Sequence, residues 1–262
     1  MQGIRYTVFS KPWKTVPLPD LARHLAELGF DGVEFPVRPE FQVEPDTIAE
    51  GLPEAARIFA DHGVTIESVA GPTDEDAIAA CAQAGVPIIR ICLPIGDDGY
   101  LASEARYIRE FEELAPTLEQ YGVAVGIQNH CNNQIGSCLG VMDLIRDFTP
   151  EQFCMVWDQA HNVLAGEIPE QAIDICWSHL GMLNLKNPYW HRMSGPEAYE
   201  AEWKLNWTTG RQGIASWPRV ITALQAREWT GPVCFTAEYS VKDDLDRYIA
   251  DDIEYAKMLF GG

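Results

Sequence analysis

The stretch Tyr121-Gly122-Val123-Ala124-Val125-Gly126-Ile127-Gln128 joins the end of a helical pattern to a short apolar run through one glycine. Glycine after the last helical turn is a common left-handed cap, and a run of this length fits a buried strand. The same order of helix, glycine and strand recurs at five other places, which are residues 28–35, 62–67, 84–91, 180–186 and 230–235. The pattern predicts a chain built from repeated βα units.

Eight strands follow when the β-rich runs at 4–9 and 153–158 are added. Their predicted starts are residues 4, 33, 64, 88, 123, 154, 182 and 233. Amphipathic stretches predict helices at residues 18–28, 52–62, 74–84, 103–121, 139–148, 169–180, 217–227 and 243–260. Eight alternations favour a single (β/α)8 TIM barrel over residues 1–262, and a doubly wound open sheet is the alternative.

The last interval is longer than the others because it contains an insertion at about 187–213, after predicted strand 7. This segment is rich in aromatic residues and lies on the side of the barrel where active sites occur. It is expected to be either a lid or pocket wall, or a surface excursion that contacts a second copy in a homo-oligomer.

Composition narrows the class of protein and of partner. No apolar stretch is long enough to span a membrane, and the N-terminal residues lack the pattern of an export signal. The seven cysteines include no CxxC pair, so we expect reduced thiols and a cytoplasmic protein. A net charge of −20 disfavours nucleic acid and anionic membranes, and favours a neutral or metal-bridged small-molecule substrate.

Strand alternation predicts which polar side chains point into the barrel. They include four carboxylates, of Glu34, Glu67, Asp158 and Glu238, but only two cations, Arg90 and Lys186. Because uncompensated buried charge is costly, this imbalance predicts a bound divalent cation. The alternative for three of these residues is a structural ion-pair layer, formed lower in the barrel by Glu34, Glu67 and Arg90.

Motifs at the predicted strand ends resemble those of the xylose isomerase-like TIM barrel family, which includes sugar isomerases and epimerases. The resemblance covers essentially the whole chain and is carried by Gly29-Phe30-Asp31-Gly32-Val33-Glu34, Gln128-Asn129-His130, Trp157-Asp158-Gln159-Ala160-His161, Asn184-Leu185-Lys186-Asn187, Gly213-Ile214-Ala215-Ser216-Trp217-Pro218 and Glu238. The resemblance implies a sugar-like small-molecule substrate and one divalent metal ion, Mg²⁺ or Mn²⁺. By position, the implied metal ligands are Gln128, Asp158, Asn184 and Glu238.

Two of these four positions carry neutral amides, and Gln128 departs most from the family pattern. An amide cannot accept a proton from carbon, so the two-base epimerisation that the resemblance implies loses one base. Chemistry with one main base remains, either isomerisation through an enediolate or a lyase or dehydratase reaction through the same kind of enolate. A catalytically inactive, sugar-binding barrel is the alternative from another class, and a zinc-cluster nuclease is disfavoured because few histidines lie at strand ends.

The remaining roles are assigned as follows. Glu238, His161, His130 and Lys186 are the candidate catalytic residues, with Glu238 or a histidine moving the proton. The candidate substrate-binding residues are His161, His130, Lys186, Trp13 and Arg90. His161 follows Asp158 by three residues and resembles the substrate-contacting histidine of the family, while Lys186 is placed to neutralise an oxyanion or to pair with a carboxylate.

Overall fold

Eight parallel strands close into a barrel in the computed structural model, which describes residues 3–261. The barrel strands are β1 (Arg5–Phe9), β2 (Gly32–Pro36), β3 (Thr65–Ala70), β4 (Ile88–Ile91), β5 (Ala124–Gln128), β6 (Phe153–Asp158), β7 (Leu180–Leu185) and β10 (Pro232–Phe235). Each begins within two residues of its predicted start. Strand β1 pairs with both β2 and β10, which closes the sheet, so the prediction of a (β/α)8 barrel is confirmed and the open sheet is excluded. Met1, Gln2 and Gly262, the ends of the predicted domain 1–262, lie outside the described residues.

The barrel is surrounded by helices at all eight predicted places and by one further short helix. They are α1 (Leu18–Glu27), α2 (Ile48–Ala60), α3 (Glu75–Ala84), α4 (Tyr100–Tyr121), α5 (Cys138–Ile145), α6 (Gln159–Leu164), α7 (Pro169–Cys176), α8 (Trp217–Gln225) and α9 (Leu245–Phe260). Helix α6 was not predicted, because six residues are too few to show a helical period. Within residues 3–261, no helix combines the length and the apolar character needed to cross a lipid bilayer.

Four of the six repeated glycines have the predicted left-handed backbone. Their φ angles lie between 65° and 86°, at Gly29, Gly63, Gly85 and Gly122. Gly181 and Gly231 are required for a different reason, which is close packing. A Cβ atom on Gly181 would lie 2.6 Å from Sγ of Cys154, and one on Gly231 would lie 2.2 Å from the ring of Trp229.

The barrel interior below the site is filled by small and medium apolar side chains. They are Phe9, Ala70, Ile88, Ala124, Cys154, Val156, Met182 and Cys234. Gly126 faces the same space, where a Cβ atom would lie only 2.6 Å from Cγ2 of Val156. The interior is thus a packed core, which confines any ligand to the mouth of the barrel.

One prediction of strand orientation is wrong, and a β-bulge explains why. The register of β2 against β3 shifts after Val33, so that Glu34 pairs with Ser68. This shift puts Ser68 inside, where its hydroxyl lies 3.4 Å from Oε1 of Glu34. Glu67 does not join Glu34 and Arg90 but forms an ion pair with Arg5, at 2.7 Å.

The insertion after β7 forms an antiparallel hairpin, β8 (Asn187–Arg192) and β9 (Trp203–Thr208). The fully buried Asn187 holds its base, donating to the carbonyls of Gly210 and Ala215 and accepting from the Ala215 N–H. The end of the hairpin far from the barrel exposes large apolar side chains, which are Trp190, Met193, Tyr199 and Trp203.

A buried carboxylate joins the end of this insertion to helix α9. Asp252 accepts hydrogen bonds from the Gly210 N–H at 2.7 Å and from the Tyr239 hydroxyl at 2.9 Å. Burial raises the pKa of Asp252 from 3.8 to about 7, because no cation contacts it closely enough to offset the loss of water.

We expect Asp252 to make the protein less stable as pH rises from about 4 to about 7. The folded protein binds the Asp252 proton up to about pH 7, whereas the unfolded chain releases it near its ordinary pKa of 3.8. One such proton gives a slope of up to about 1.4 kcal/mol per pH unit. In urea unfolding across this range, the free energy of unfolding of Asp252→Asn should fall less, or rise more, with pH than that of the unaltered protein. The exposed neighbour provides the control, Asp251→Asn, and equal slopes for the two variants would contradict the assignment.

Candidate active site

The C-terminal ends of the barrel strands open into a cavity of about 570 Å³. Seven predicted site residues line it, which are Arg90, Gln128, His130, His161, Asn184, Lys186 and Glu238. The eighth, Asp158, is fully buried and hydrogen-bonds to Gln128 in the cavity wall. A volume of this size suits a small molecule such as a sugar.

Asp158 lies at the end of β6 and is the N-cap of helix α6. Its Oδ1 accepts the N–H groups of Ala160 at 2.9 Å and His161 at 3.2 Å. Asn129 fixes the Asp158 backbone by a reciprocal pair of hydrogen bonds, of 2.7 and 3.1 Å. The cap therefore sets where helix α6 begins, and with it the position of His161 in the cavity wall.

Gln128 acts as a hydrogen-bond donor toward Asp158. Its Nε2 lies 2.9 Å from Oδ2 of Asp158, and its Oε1 accepts from the Cys92 thiol at 3.5 Å. Since Asp158 is contacted by N–H donors but by no lysine or arginine within residues 3–261, its charge is satisfied by neutral groups alone.

Asn184, at the end of β7, has no protein partner in the described part of the chain. Both its Oδ1 and its Nδ2 are buried without a hydrogen bond, although the side chain lines the cavity. Leaving both ends of a buried amide unpaired costs free energy. A ligand in the cavity would relieve this cost.

The His161 ring is held in its neutral form, with the proton on Nε2. Its Nδ1 accepts the Cys131 N–H at 3.2 Å, so the neutral ring carries its proton on Nε2. Burial lowers the pKa of His161 to about 4, although Asp158 opposes this shift. Within residues 3–261, Nε2 has no hydrogen-bond partner, and it lies 3.8 Å from Oδ2 of Asp158.

In His130 the two ring nitrogens have the opposite roles to those in His161. Its Nδ1 lies 2.9 Å from the Cys131 carbonyl oxygen, an acceptor, so Nδ1 carries the proton and Nε2 of the neutral ring has a free lone pair. The two imidazole rings lie 4.0 Å apart, centre to centre. The site thus places a hydrogen-bond donor and a proton acceptor side by side.

Glu238, after β10, is held between two lysines. Its Oε2 is paired with Lys186 and its Oε1 with Lys11, the latter at 2.8 Å. Burial opposes the shift, but the two ammonium groups lower the pKa of Glu238 to about 2. Trp207 from the hairpin covers Lys186, with Nζ 3.7 Å from its ring centre, and packs edge-on against His161. Trp207 therefore packs against two residues of the cavity wall, although it does not itself line the cavity.

Trp13, which was predicted to bind substrate, is buried in the helix-side core and does not line the cavity, so the structure does not support that role. Its ring packs edge-on against His24. The aromatic ring beside the catalytic candidates is Trp207, which is contributed by a hairpin that the sequence pattern did not resolve.

The predicted charge imbalance is also wrong, because three cations were missed. Arg5 pairs with Glu67, Lys11 pairs with Glu238, and Arg38 lines the cavity. Lys11 and Arg38 follow the ends of β1 and β2 and share the parity of the inward residues Phe9 and Glu34, which is the signal that could have found them. Excess carboxylate charge therefore gives no argument for a metal ion.

The predicted layer of Glu34 and Arg90 is present and forms the floor of the site. Nε and Nη2 of Arg90 each lie 2.9 Å from one Glu34 oxygen, in a buried bidentate pair. Although burial opposes it, Glu34 raises the pKa of Arg90. The Arg90 guanidinium also lies 4.8 Å from the ring centre of Phe9.

Two different donor sets could hold a metal ion. Asp158 and the unpaired oxygen of Asn184 belong to the predicted oxygen set, which suits Mg²⁺ or Mn²⁺. His130, Cys131 and His161 bring one potential ligand atom each to within 4.8 Å of one another, and such a set suits Zn²⁺. Cys131 was not among the predicted site residues.

Solved structures with the same fold include enzymes and a metal complex. D-psicose 3-epimerase from Clostridium cellulolyticum H10, solved with D-tagatose, is 14% identical with a TM-score of 0.75, covering 98% of this chain and 99% of the other. The probable 3-DHS dehydratase of petrobactin synthesis from Bacillus anthracis is 12% identical with a TM-score of 0.73, covering 95% and 97%. A xylose isomerase-like TIM barrel protein from Mycobacterium smegmatis, in complex with magnesium, is 16% identical with a TM-score of 0.70, covering 98% and 96%.

At these identities the structural matches establish the fold alone. No curated protein matches the chain in sequence. The model of the xylose isomerase-like TIM barrel family matches residues 22–259, which include every strand of the barrel except β1. The chain therefore belongs to the xylose isomerase-like TIM barrel family.

Proposed function

We propose that this protein is an isomerase or epimerase-like enzyme that acts on a sugar or another polyhydroxy carbonyl compound through an enediolate, with one main base. The observation that carries the proposal is the pairing of His130 and His161, whose rings present a lone pair and an N–H group from adjacent positions of one cavity. Enolisation needs both, because a proton leaves carbon while negative charge develops on the carbonyl oxygen.

His130 is the best candidate for the base. Gln128 has no titratable group, and Glu238 has a pKa of about 2 because of Lys186 and Lys11, which makes it a weak proton acceptor. His130 Nε2 has its lone pair available and no such ion pair. In this mechanism His130 takes the proton from the carbon next to the carbonyl and returns it to the former carbonyl carbon, while a proton passes from the neighbouring hydroxyl group to the former carbonyl oxygen.

His161 and Lys186 stabilise the developing oxyanion. The buried His161 stays neutral because its pKa is about 4, and its Nε2–H is free to donate to the substrate oxygen. Lys186 lies in the same cavity wall and is kept in place by Glu238 and Trp207. A fixed donor in a site shielded from water stabilises charge without reorganisation.

The donor set fits a divalent metal ion at Asp158 and Asn184. Asp158 is a buried carboxylate with no cationic partner among the described residues, and the Asn184 oxygen lacks a hydrogen bond. Gln128 and Glu238 would complete the set implied by the family, once their present hydrogen bonds are exchanged. When bound, such an ion polarises a carbonyl group and stabilises negative charge on its oxygen.

A lyase or dehydratase is the second candidate, and the amide at Gln128 favours it. Elimination of water needs one base to remove the proton and a donor to protonate the departing hydroxyl, and it has no need of a base on the opposite face. His130 would be that base and Lys186 that donor. Product analysis decides between the two reactions.

Replacement of His130 by glutamine should abolish carbon–hydrogen exchange, because glutamine keeps a polar side chain but accepts no proton. The measurement is deuterium incorporation next to the carbonyl, followed by NMR, for D-tagatose, D-fructose and D-psicose in D₂O. We expect a fall of about 10²- to 10⁴-fold. The exposed histidine of the hairpin is the matched control, His191→Gln. No exchange or dehydration by the unaltered protein would favour a sugar-binding barrel, and full activity in His130→Gln would remove His130 as the base.

Metal content should depend on Asp158. Protein purified without chelator and supplied with Mn²⁺ is expected to bind about one ion per chain, measured by elemental analysis and by titration calorimetry, and Asp158→Ala should lose it. Glu67→Gln is the control, since this carboxylate is already paired with Arg5. Zinc that survives in Asp158→Ala but is lost in Cys131→Ser would assign the site to the His130, Cys131 and His161 set instead.

Gln128→Glu should tighten Mn²⁺ binding by about tenfold or more, because it adds an anionic ligand. The same change should lower the stability of the metal-free protein. It replaces a 2.9 Å hydrogen bond to Asp158 with two carboxylates in contact. Titration calorimetry and thermal unfolding with and without Mn²⁺ measure both effects. Unchanged affinity would place Gln128 outside the ligand set.

A further inference from the structure

The cavity is cationic in a strongly acidic protein. Its lining includes four cationic side chains and one carboxylate, and two more carboxylates hydrogen-bond to lining residues; these are Lys11, Arg38, Arg90 and Lys186, then Glu238, then Glu34 and Asp158. The whole chain has a net charge of −20. The cavity thus has the opposite sign of charge to the protein as a whole.

The excess positive charge of the cavity lies on Arg38. Arg90 is neutralised by Glu34, and Lys11 and Lys186 share Glu238, whereas no carboxylate within residues 3–261 forms an ion pair with Arg38. Its guanidinium lies 5.5 Å from the ring centre of Phe9, which Arg90 also contacts. Burial and the nearby Arg90 lower the pKa of Arg38, as expected for a cation with too little negative charge around it.

The loop that presents Arg38 is fixed before any ligand binds. The Arg38 N–H donates to the Val43 carbonyl, and the Arg38 carbonyl accepts from the Phe41 N–H. Gln42 donates from Nε2 to the carbonyls of Trp13 and Val16, at 2.8 and 2.9 Å. These hydrogen bonds fix the backbone from which the half-buried Arg38 side chain extends, so less conformational freedom remains to be lost when a ligand binds.

Barrel geometry puts Arg38 across the mouth from the reacting groups. Arg38 follows β2, and in the order of the closed sheet β2 lies directly opposite β6, which ends at Asp158 and leads into His161. A substrate whose carbonyl end reaches His130 and His161 would therefore direct its far end toward Arg38.

We propose that the substrate carries an oxyanionic group, a carboxylate or a phosphate, at the end remote from the reacting carbon, and that Arg38 binds this group. The proposal rests on the proposed function for the position of the reacting end. It replaces the expectation of a neutral or metal-bridged substrate. Guanidinium matches the planar carboxylate and the phosphate oxygens with two parallel hydrogen bonds.

Binding of matched pairs of probes tests the proposal. D-Gluconate and D-glucitol differ mainly in one terminal carboxylate, and D-fructose 6-phosphate and D-fructose differ in one phosphate. Titration calorimetry on the intact, metal-supplied protein should show that at least one anionic probe binds about 10- to 100-fold more tightly than its neutral counterpart. The pair that shows the larger ratio identifies carboxylate or phosphate.

Arg38→Met should remove that preference while leaving the affinity for the neutral probes unchanged. Arg38→Lys should restore part of it, because it keeps the charge but loses the planar fork. The exposed, unpaired Arg109 provides the matched control, Arg109→Met, which should behave like the unaltered protein. Circular dichroism checks that each variant is folded.

Equal affinity for the charged and neutral members of both pairs, or an anionic preference that persists in Arg38→Met, would overturn this proposal and leave the proposed function untouched. An Arg38-dependent preference in a protein that shows no carbon–hydrogen exchange would support the anion site and count against the proposed enzyme. The two proposals therefore fail separately.

Discussion

The site depends on one buried carboxylate, Asp158, that is satisfied by N–H donors instead of by a cation. Its Oδ1 caps helix α6, and its Oδ2 fixes the Gln128 amide. A buried carboxylate stays charged only when hydrogen-bond donors surround it, so these contacts fix the positions of the groups that donate to Asp158. Because the cap fixes where α6 begins, it fixes His161, and the contact between rings then fixes His130. Asp158 has no lysine or arginine partner within residues 3–261, and this is the observation that supports the proposed metal ion.

The other charged side chains around the cavity form two separate groups of ion pairs with different effects. Arg90 and Glu34 neutralise one another in the barrel, where an unpaired charge would be most costly, and so make a rigid floor. Glu238 is shared by two lysines, which lowers its pKa and weakens it as a base. The same arrangement holds Lys186 against Trp207 in the cavity wall. In the proposed mechanism the proton is therefore transferred by an imidazole and not by Glu238.

Sequence predicted the barrel because βα units repeat, and it predicted most of the site because side chains alternate along a regular strand. It failed where regularity ends. The bulge in β3 reversed the orientation expected for Glu67. Helix α6 is too short to show a period, and the hairpin that carries Trp207 is an insertion outside the repeat. Arg38 was missed although it shares the parity of Glu34, because the alternation continues beyond the strand into a loop.

Arg38 follows β2, whereas the proposed reacting groups follow β5 to β7. This separation explains how an acidic protein could select an acidic substrate. Surface charges act through water and salt, which screen them over about 8 Å at physiological ionic strength, so the net charge of −20 weakens only the approach of an anion. Inside the cavity the dielectric constant is lower, and charges there interact more strongly. In the proposed binding mode Arg38 needs no long-range attraction to discriminate, because it acts at contact and forms no ion pair with a carboxylate within residues 3–261. If both proposals hold, recognition on the β1 and β2 side and chemistry on the β5 to β7 side are separable properties of one barrel mouth. Substrate specificity could then change through the first two loops while Asp158, His130 and His161 stay the same.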